Sequence, residues 1–134
     1  MQTFLPYANF NKTAKCLDYK RLGKQRVEAL QIYKIVSGER TTGGWINHPI
    51  VQMWMGYPDA LAHYHNTMID EWIIQGYKNN MKLIPHNPRY KNPEWLGEKE
   101  FHDSHKSNLI RKNPTFYSQY KWDVPSNLEY IWKN

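Results

Sequence analysis

Apolar residues recur at helical spacing in two long stretches of the chain. The first stretch predicts a helix over about residues 18–37 that ends before Gly38, and the second predicts a helix over residues 58–75 that ends before Gly76. The apolar stripe of the first helix is Leu22, Ala29, Leu30, Tyr33 and Val36, and that of the second is Leu61, Tyr64, Met68 and Trp72. Amphipathic helices of this length are typical of a fold in which helices pack around a shared core.

Capping residues indicate further, shorter helices. Asn11 is suited to cap a short helix, because its side chain can accept a hydrogen bond from a free backbone N–H. Pro49 is a favourable first residue and predicts a helix over residues 49–55. Two more helical segments are expected after Gly97 and after Pro125.

The rest of the chain carries no convincing signal for β-strands. Residues 78–96 are expected to form a long irregular loop, because three prolines lie among Asn, Lys and Arg. At 134 residues the chain is long enough to bury a core without disulfides or structural metals. The sequence therefore predicts an all-α fold that forms a single, compact helical domain over residues 1–134.

Composition limits the expected compartment and partners. The single Cys16 excludes an internal disulfide, and no apolar stretch approaches the roughly 18 residues needed to cross a bilayer. A cytoplasmic protein without a membrane partner is therefore expected. The formal net charge of +6 favours an anionic partner.

One face of the helix predicted over residues 18–37 is polar and basic. Arg21, Lys24, Gln25 and Glu28 share this face because they lie three or four residues apart. The cations could bind phosphate, and Glu28 could orient Lys24 or act as an acid or a base. A solvated face with a weak Lys24–Glu28 pair is the alternative, and spacing alone does not separate the two.

A second candidate cluster consists of Trp45, Asn47, His48 and Trp54. It surrounds the predicted helix start at Pro49, where free backbone N–H groups attract anions. A histidine there could hydrogen-bond a nucleobase while indole rings stack on it. A histidine packed beneath an aromatic core is the alternative.

A third candidate group lies near the C-terminus, where cations, hydroxyls, amides and aromatic rings occur in one short stretch. On a helix, His105, Lys106 and Arg111 would project polar groups towards a ligand while an apolar pair anchors the helix. Phe116 and Trp122 could stack on a base or close the core, and the need of a small domain for large apolar anchors favours the core.

Other kinds of site receive little support. The chain has six histidines, but His63 and His65 would diverge on a helix, and His102 and His105 lack a glutamate or cysteine at metal-ligand spacing. There is no glycine-rich dinucleotide motif, no P-loop and no nucleophile elbow. We therefore expect neither a metal nor a cofactor.

Four segments together resemble a family. They are TFLPY at residues 3–7, LDYKRLGKQRVEA at 17–29, NHP at 47–49 with Trp54, and SHKSNLIRK at 104–112. They are similar to a cytoplasmic branch of the pyrimidine-dimer DNA glycosylase (phage endonuclease V-like) superfamily. The likeness to the characterised glycosylases is remote and includes the aromatic segment PTFYSQY at 114–120. The resemblance implies a compact all-α domain whose N-terminus lies near the ligand site, and it favours His48 as a residue that lines this site.

The resemblance also assigns expected roles, and the chain departs from the pattern at two of them. The characterised enzymes attack the sugar with the α-amine of a threonine that methionine removal exposes. Here the second residue is Gln2, whose size predicts that Met1 is retained. Glu28 stands where the family has its essential glutamate, and Val27 stands where an arginine usually precedes it.

The favoured function is non-catalytic binding of a phosphate-bearing nucleotide or nucleic acid in a basic, aromatic pocket. The composition is compatible with a phage or viral origin, where sequestering a nucleotide signal would be one use. The alternative is a DNA glycosylase/AP lyase that acts on damaged pyrimidines through an N-terminal amine, with the Met1 amine and Glu28 as its catalytic groups. A protein-interaction module with a basic surface is a third class.

Overall fold

The computed structural model describes residues 1–133, and the regular structure in this part of the chain is entirely helical. The α-helices are α1 (Phe10–Cys16), α2 (Tyr19–Val36), α3 (Pro49–Trp54), α4 (Pro58–Ile74), α5 (Lys99–Lys112) and α6 (Pro114–Tyr117), and a 3₁₀ turn follows at Ser118–Tyr120. None of the described helices combines the length and hydropathy needed to span a bilayer. The prediction of an all-α fold is confirmed.

The two long helices, α2 and α4, pack against each other and form the centre of the core. Each buries a stripe at helical spacing, and the fully buried residues of these stripes are Leu22, Ala29, Ile32, Leu61, Tyr64 and Met68. Trp54 from α3 and Phe101 from α5 are also fully buried and close the core. Full burial of each large apolar side chain contributes about 1.5–3 kcal/mol, so this packing holds α2 firmly in place.

The first residues of the chain form no helix, yet they run through the interior. Thr3, Phe4 and Leu5 are at most 4% exposed. Because they belong to no sheet or helix, side chains must satisfy their backbone groups. The N–H of Phe4 donates to Gln25 Oε1 at 3.1 Å, and the N–H of Leu5 donates to His105 Nδ1 at 2.7 Å. The start of the chain is thereby fixed between α2 and α5.

The cap predicted for the first helix is wrong by two residues. Asn9 caps α1, since its Oδ1 accepts a hydrogen bond from the N–H of Lys12 at 2.8 Å. Asn11 lies inside the helix and is exposed. Either asparagine satisfies the sequence rule for a cap, and the backbone of the buried N-terminal segment decides between them.

The helix predicted after Pro125 is absent from the described residues, which continue there in turns and extended backbone. Arg111 fastens this segment to α5. Its guanidinium donates to the backbone oxygens of Ser126 and Leu128, each at 2.8 Å. These bonds replace the hydrogen bonds that a helix would have made within the segment.

The loop between α4 and α5 is irregular, as predicted, and side chains hold it to the core. Asn66 on α4 forms two hydrogen bonds of 2.8 Å with the backbone N–H and C=O of Ile84. The indole N–H of Trp95 donates to the backbone oxygen of Met53 at 3.1 Å. The loop is therefore an ordered layer over one side of the molecule.

Candidate functional site

A cavity of about 710 Å³, here called the α2 cavity, lies along one face of α2. Its other walls are Gln2 and Phe4 from the start of the chain, Trp72 from α4 and Lys112 from the end of α5. The α2 residues that line it are Tyr19, Lys20, Arg21, Gly23, Lys24, Gln25, Val27, Glu28 and Gln31. The structure thus brings together the four residues that helical spacing grouped: Arg21, Lys24, Gln25 and Glu28.

Gln25 fixes the start of the chain against α2. Its side chain is 1% exposed and uses both ends of the amide. Oε1 accepts from the N–H of Phe4 at 3.1 Å and from the hydroxyl of Tyr64 at 2.6 Å, while Nε2 donates to the backbone oxygen of Gln2 at 3.1 Å. Gln25 is therefore a positioning residue at the floor of the cavity.

Glu28 places a carboxylate beside the start of the chain. Its Oε2 accepts from the backbone N–H of Gln2 at 3.4 Å and from Gln25 Nε2 at 3.2 Å. Within residues 1–133 it forms no ion pair with a lysine or arginine, so the Lys24–Glu28 pair considered above is not formed there. The carboxylate therefore lines the cavity beside the Gln2 nitrogen without a cationic partner among the described residues.

Arg21 lines the cavity and also forms an ion pair with Asp18. Its Nη1 donates to both carboxylate oxygens of Asp18, each at 3.2 Å. The Asp18 side chain is 8% exposed, and it also accepts a short hydrogen bond from the hydroxyl of Tyr117. Part of the Arg21 charge is therefore already compensated, and it is Asp18 that links the start of α2 to α6.

Three lysines face the same cavity without such compensation. Lys20 and Lys24 project from α2 and Lys112 from the end of α5, and all three are exposed. In the part of the chain that the structure describes, none of them pairs with a carboxylate. An anion in the cavity can therefore bind these ammonium groups without displacing a protein partner.

An aromatic wall closes one side of the cavity. A Cβ atom on Gly23 would lie 3.0 Å from the Trp72 ring, which is tighter than nine in ten real Cβ contacts. The absence of a side chain at Gly23 is thus explained by the close approach of Trp72. Tyr19 stacks nearly parallel to the same indole, at an interplanar angle of 16°.

A smaller cavity of about 130 Å³ continues along α2. Its lining includes Met1, Gln31 and Trp45, and Gln31 also lines the α2 cavity. Trp45 is 48% exposed in the loop before α3. The predicted residue Trp45 therefore lies near the α2 face, in an adjoining pocket.

The other members of the predicted Trp45 cluster are divided by the structure. Trp54 is fully buried, and its indole N–H donates to the hydroxyl of Thr3 at 3.0 Å, so it belongs to the core. Asn47 is exposed and lines neither cavity. His48 is half-buried, with its ring centroid 5.2 Å from that of Trp45.

His48 has a structural role as the N-cap of α3. Its Nδ1 accepts a hydrogen bond from the N–H of Ile50 at 3.0 Å. Burial, and then the positive charge of the Met1 amine, lower the pKa of His48, which favours the neutral ring that capping requires. The ring lines neither cavity, so a ligand contact by His48 remains a prediction.

His48→Ala should lower the free energy of unfolding by about 1 kcal/mol, because the N–H of Ile50 loses its acceptor. His48→Asn should retain most of this stability, since asparagine is a good N-cap. Thermal unfolding of the two variants measures the effect. Equal losses in both variants would contradict the capping role, and a loss of ligand affinity in the stable asparagine variant would support the ligand contact.

The prediction that His105 projects towards a ligand is wrong. His105 is fully buried, and its ring stacks on Tyr130 with 4.5 Å between centroids. Burial, and to a smaller extent the nearby His102, lowers the pKa of His105 well below its usual value. The neutral ring accepts the hydrogen bond from Leu5 and so holds the N-terminal segment.

Lys106 and Arg111 also lie outside the α2 cavity. The Lys106 ammonium is 5.2 Å from the centroid of the Tyr7 ring and 3.8 Å from Asp103 Oδ1. The Arg111 guanidinium donates to Ser107 Oγ and to the C-terminal backbone oxygens described above. Both cations therefore stabilise the fold at their positions on α5.

Nothing among residues 1–133 resembles a metal centre, because no three His, Cys, Asp or Glu side chains are grouped closely enough to hold an ion. Cys16 is buried, and this burial raises the pKa of its thiol to about 12. The thiolate that nucleophilic chemistry requires is therefore strongly disfavoured.

Nine of the thirteen residues that line the α2 cavity are not among the predicted ligand contacts, including two lysines and two large aromatic residues. Lys20 and Tyr19 belong to the turn of α2 before Arg21, and the apolar stripe of α4 predicts that Trp72 faces the core. Lys112 is the last residue of the segment SHKSNLIRK, but the sequence did not group it with the residues of α2. The internal Gly23 was a usable signal, because a glycine inside a helix indicates close approach of another group.

A comparison with protein families gives one match. The family model described as pyrimidine dimer DNA glycosylase matches residues 1–85, which contain α1 to α4 and most of the lining of the α2 cavity. Curated proteins and solved structures gave no match. The family identified from the sequence is confirmed.

Proposed function

Since the chain belongs to the pyrimidine dimer DNA glycosylase family, we propose that its α2 cavity binds a nucleic-acid strand through the phosphates. DNA is the ligand that the family description indicates. In this proposal the strand is recognised and held but not cut. Sequestration of a free nucleotide would use the same lysines, and the volume of about 710 Å³ suits a ligand of that size as well.

The observation that carries the proposal is the set of three uncompensated lysines. Lys20, Lys24 and Lys112 converge on one cavity from two helices, and the carboxylates of residues 1–133 leave them unpaired. A solvated helix face would explain Lys20 and Lys24, but not the addition of Lys112 from α5. Phosphate oxygens are the acceptors that such a group of ammonium ions suits best.

The chemical state of the Gln2 nitrogen disfavours cleavage. It lies 3.4 Å from the Glu28 carboxylate, but the bond to Met1 makes it an amide that donates a hydrogen bond. An amide nitrogen has no free electron pair with which to attack a sugar carbon. In the described arrangement, Glu28 therefore has no amine nucleophile at that position.

The short distance between the Gln2 nitrogen and the Glu28 carboxylate favours a second candidate function. Removal of Met1 would convert the Gln2 nitrogen into an α-amine 3.4 Å from Glu28. Such an amine could form a Schiff base with an opened abasic sugar, with Glu28 as the acid or base. This is the DNA glycosylase/AP lyase alternative, with Gln2 in place of Met1 as the nucleophile.

The binding proposal predicts salt-sensitive affinity for a fluorescein-labelled single-stranded oligothymidine. Three phosphate contacts predict that the logarithm of the association constant falls with the logarithm of the salt concentration at a slope of roughly −2. Fluorescence anisotropy between about 50 and 200 mM salt measures this slope. An affinity independent of salt would exclude direct phosphate pairing.

The proposal that the strand is held but not cut predicts little or no cleavage of abasic or pyrimidine-dimer DNA. Mass spectrometry of the purified protein should show that Met1 is retained, and borohydride should trap no covalent complex with abasic DNA. Robust cleavage that is lost both in Glu28→Gln and after chemical blocking of the α-amine would instead establish the lyase. Glu28→Gln should leave binding intact, since it removes a negative charge from a site for anions.

A further inference from the structure

We propose that Tyr19, Trp72 and Tyr77 form a stacking platform for an unpaired nucleobase at the rim of the α2 cavity. The proposal rests on the proposed function and adds a contact to the base, whereas the lysines contact only the phosphates. The ligand chemistry is a nucleobase that carries a phosphate, either at the end or in the middle of a strand or as a free nucleotide.

The three rings form one continuous aromatic surface. The Trp72 and Tyr77 centroids are 4.4 Å apart at 32°, and those of Tyr19 and Tyr77 are 5.0 Å apart. Tyr19 lies 5.6 Å from Trp72 and nearly parallel to it. A base that stacks on Tyr19 would therefore extend a stack that already has a second ring beneath it.

Trp72 is held in place by contacts that leave the tyrosines free. Its indole N–H donates to the backbone oxygen of Lys78 at 2.9 Å, and the Arg26 guanidinium lies 4.2 Å from the ring centroid. Arg26 is itself fixed by a 2.8 Å hydrogen bond to Asn79 Oδ1. A ring fixed in this way loses little conformational entropy when a ligand stacks on the surface that it supports.

The two tyrosines expose the ring surface that a base would need. Tyr19 is 54% exposed and Tyr77 is 37% exposed, although both rings are large enough to be core residues. Tyr19 lines the cavity next to Lys20, and Lys24 lies further along the same helix. A ligand that is flat and apolar at one end and anionic at the other matches this order of groups, and a nucleotide unit has this form.

Two probes separate the base contact from the phosphate contacts. One is single-stranded oligothymidine, and the other is an abasic oligomer of the same length built from tetrahydrofuran units. Wild-type protein should bind oligothymidine more tightly than the abasic oligomer. Tyr19→Leu should weaken oligothymidine binding about 5- to 150-fold, the range found for stacked bases, and leave abasic binding and the salt slope unchanged.

Tyr19→Phe should retain the wild-type preference because it keeps the flat ring. Ile74→Ala provides a matched surface control, since Ile74 is 70% exposed at the end of α4 and lines neither cavity. Thymidine monophosphate, used as a competitor, distinguishes a nucleic-acid strand from a free nucleotide as the natural ligand. If it displaces oligothymidine at concentrations comparable to those of the oligomer, the platform binds a free nucleotide. If displacement requires much higher concentrations, the platform binds a strand.

If Tyr19→Leu lowers the affinity for both oligomers equally, the platform is wrong, while phosphate binding still holds. Wild-type affinity that is the same for both oligomers would overturn it too. Failure of both oligomers to bind at low salt would overturn the proposed function together with the platform. Tyr77→Leu repeats the test at the second exposed ring and should show the same selectivity for the oligomer with bases.

Discussion

Gln25→Ala should lower the free energy of unfolding by about 2–4 kcal/mol, because it leaves buried polar groups without partners. The N–H of Phe4 loses its acceptor and the backbone oxygen of Gln2 loses its donor, whereas the hydroxyl of Tyr64 can still donate to the backbone oxygen of Phe4 at 2.7 Å. Each unsatisfied buried group costs about 1–3 kcal/mol, and relaxation of the start of the chain recovers a part. Urea unfolding followed by circular dichroism measures the change.

Gln31→Ala is the matched control, since Gln31 is an exposed glutamine on the same helix. Its replacement should change stability by less than about 0.5 kcal/mol. Similar losses in the two variants would show that the Gln25 hydrogen bonds are not responsible, because helix propensity alone favours alanine over glutamine. Gln25→Ala should also weaken oligothymidine binding, because Gln25 holds Gln2 at the wall of the cavity.

The sequence was sufficient to locate α2 and α4 because their signals are local. Residues three and four positions apart share a helix face whatever surrounds the helix, so the grouping of Arg21, Lys24, Gln25 and Glu28 follows from spacing alone. The structure places all four around the same cavity. A local rule of this kind remains valid as long as the helix itself forms.

The same rule misplaced His105, because periodicity states which residues share a face but not what covers that face. His105 is enclosed by Leu5 from the start of the chain and by Tyr130 near its end. The first segment is extended, and the second was predicted as a helix that does not form, so helical spacing could not show that either segment passes over α5. Their positions are set by tertiary contacts between residues that are far apart in the chain.

Helix packing also explains why Trp72 and Lys112 were missed. Trp72 fits the apolar stripe of α4, but it lies at the end of the stripe where α4 meets Gly23 of α2. Lys112 reaches the cavity because of where α5 ends relative to α2. Such placements depend on the relative positions of helices, which a sequence pattern does not specify.

Lys24→Ala and Arg21→Ala should both weaken oligothymidine binding, by about 1–3 kcal/mol each, as expected for the loss of a charge-assisted hydrogen bond. The two variants should differ in their free energy of unfolding. Lys24 is exposed and forms no ion pair within residues 1–133, so its loss should change stability by less than about 0.5 kcal/mol. Arg21→Ala should cost about 1–3 kcal/mol of stability, because the nearly buried Asp18 carboxylate loses its cation.

Anisotropy titrations and unfolding curves without ligand separate these two effects. Lys91→Ala controls for net charge, because Lys91 is an exposed lysine that lines neither cavity. If Lys91→Ala weakens binding as much as Lys24→Ala, the protein attracts the strand by its overall charge and the α2 cavity has no special role. If Lys24→Ala instead lowers stability and leaves affinity unchanged, Lys24 is a structural residue. A large loss of affinity confined to Lys24→Ala and Arg21→Ala would locate the phosphates at the face of α2 that helical spacing first indicated.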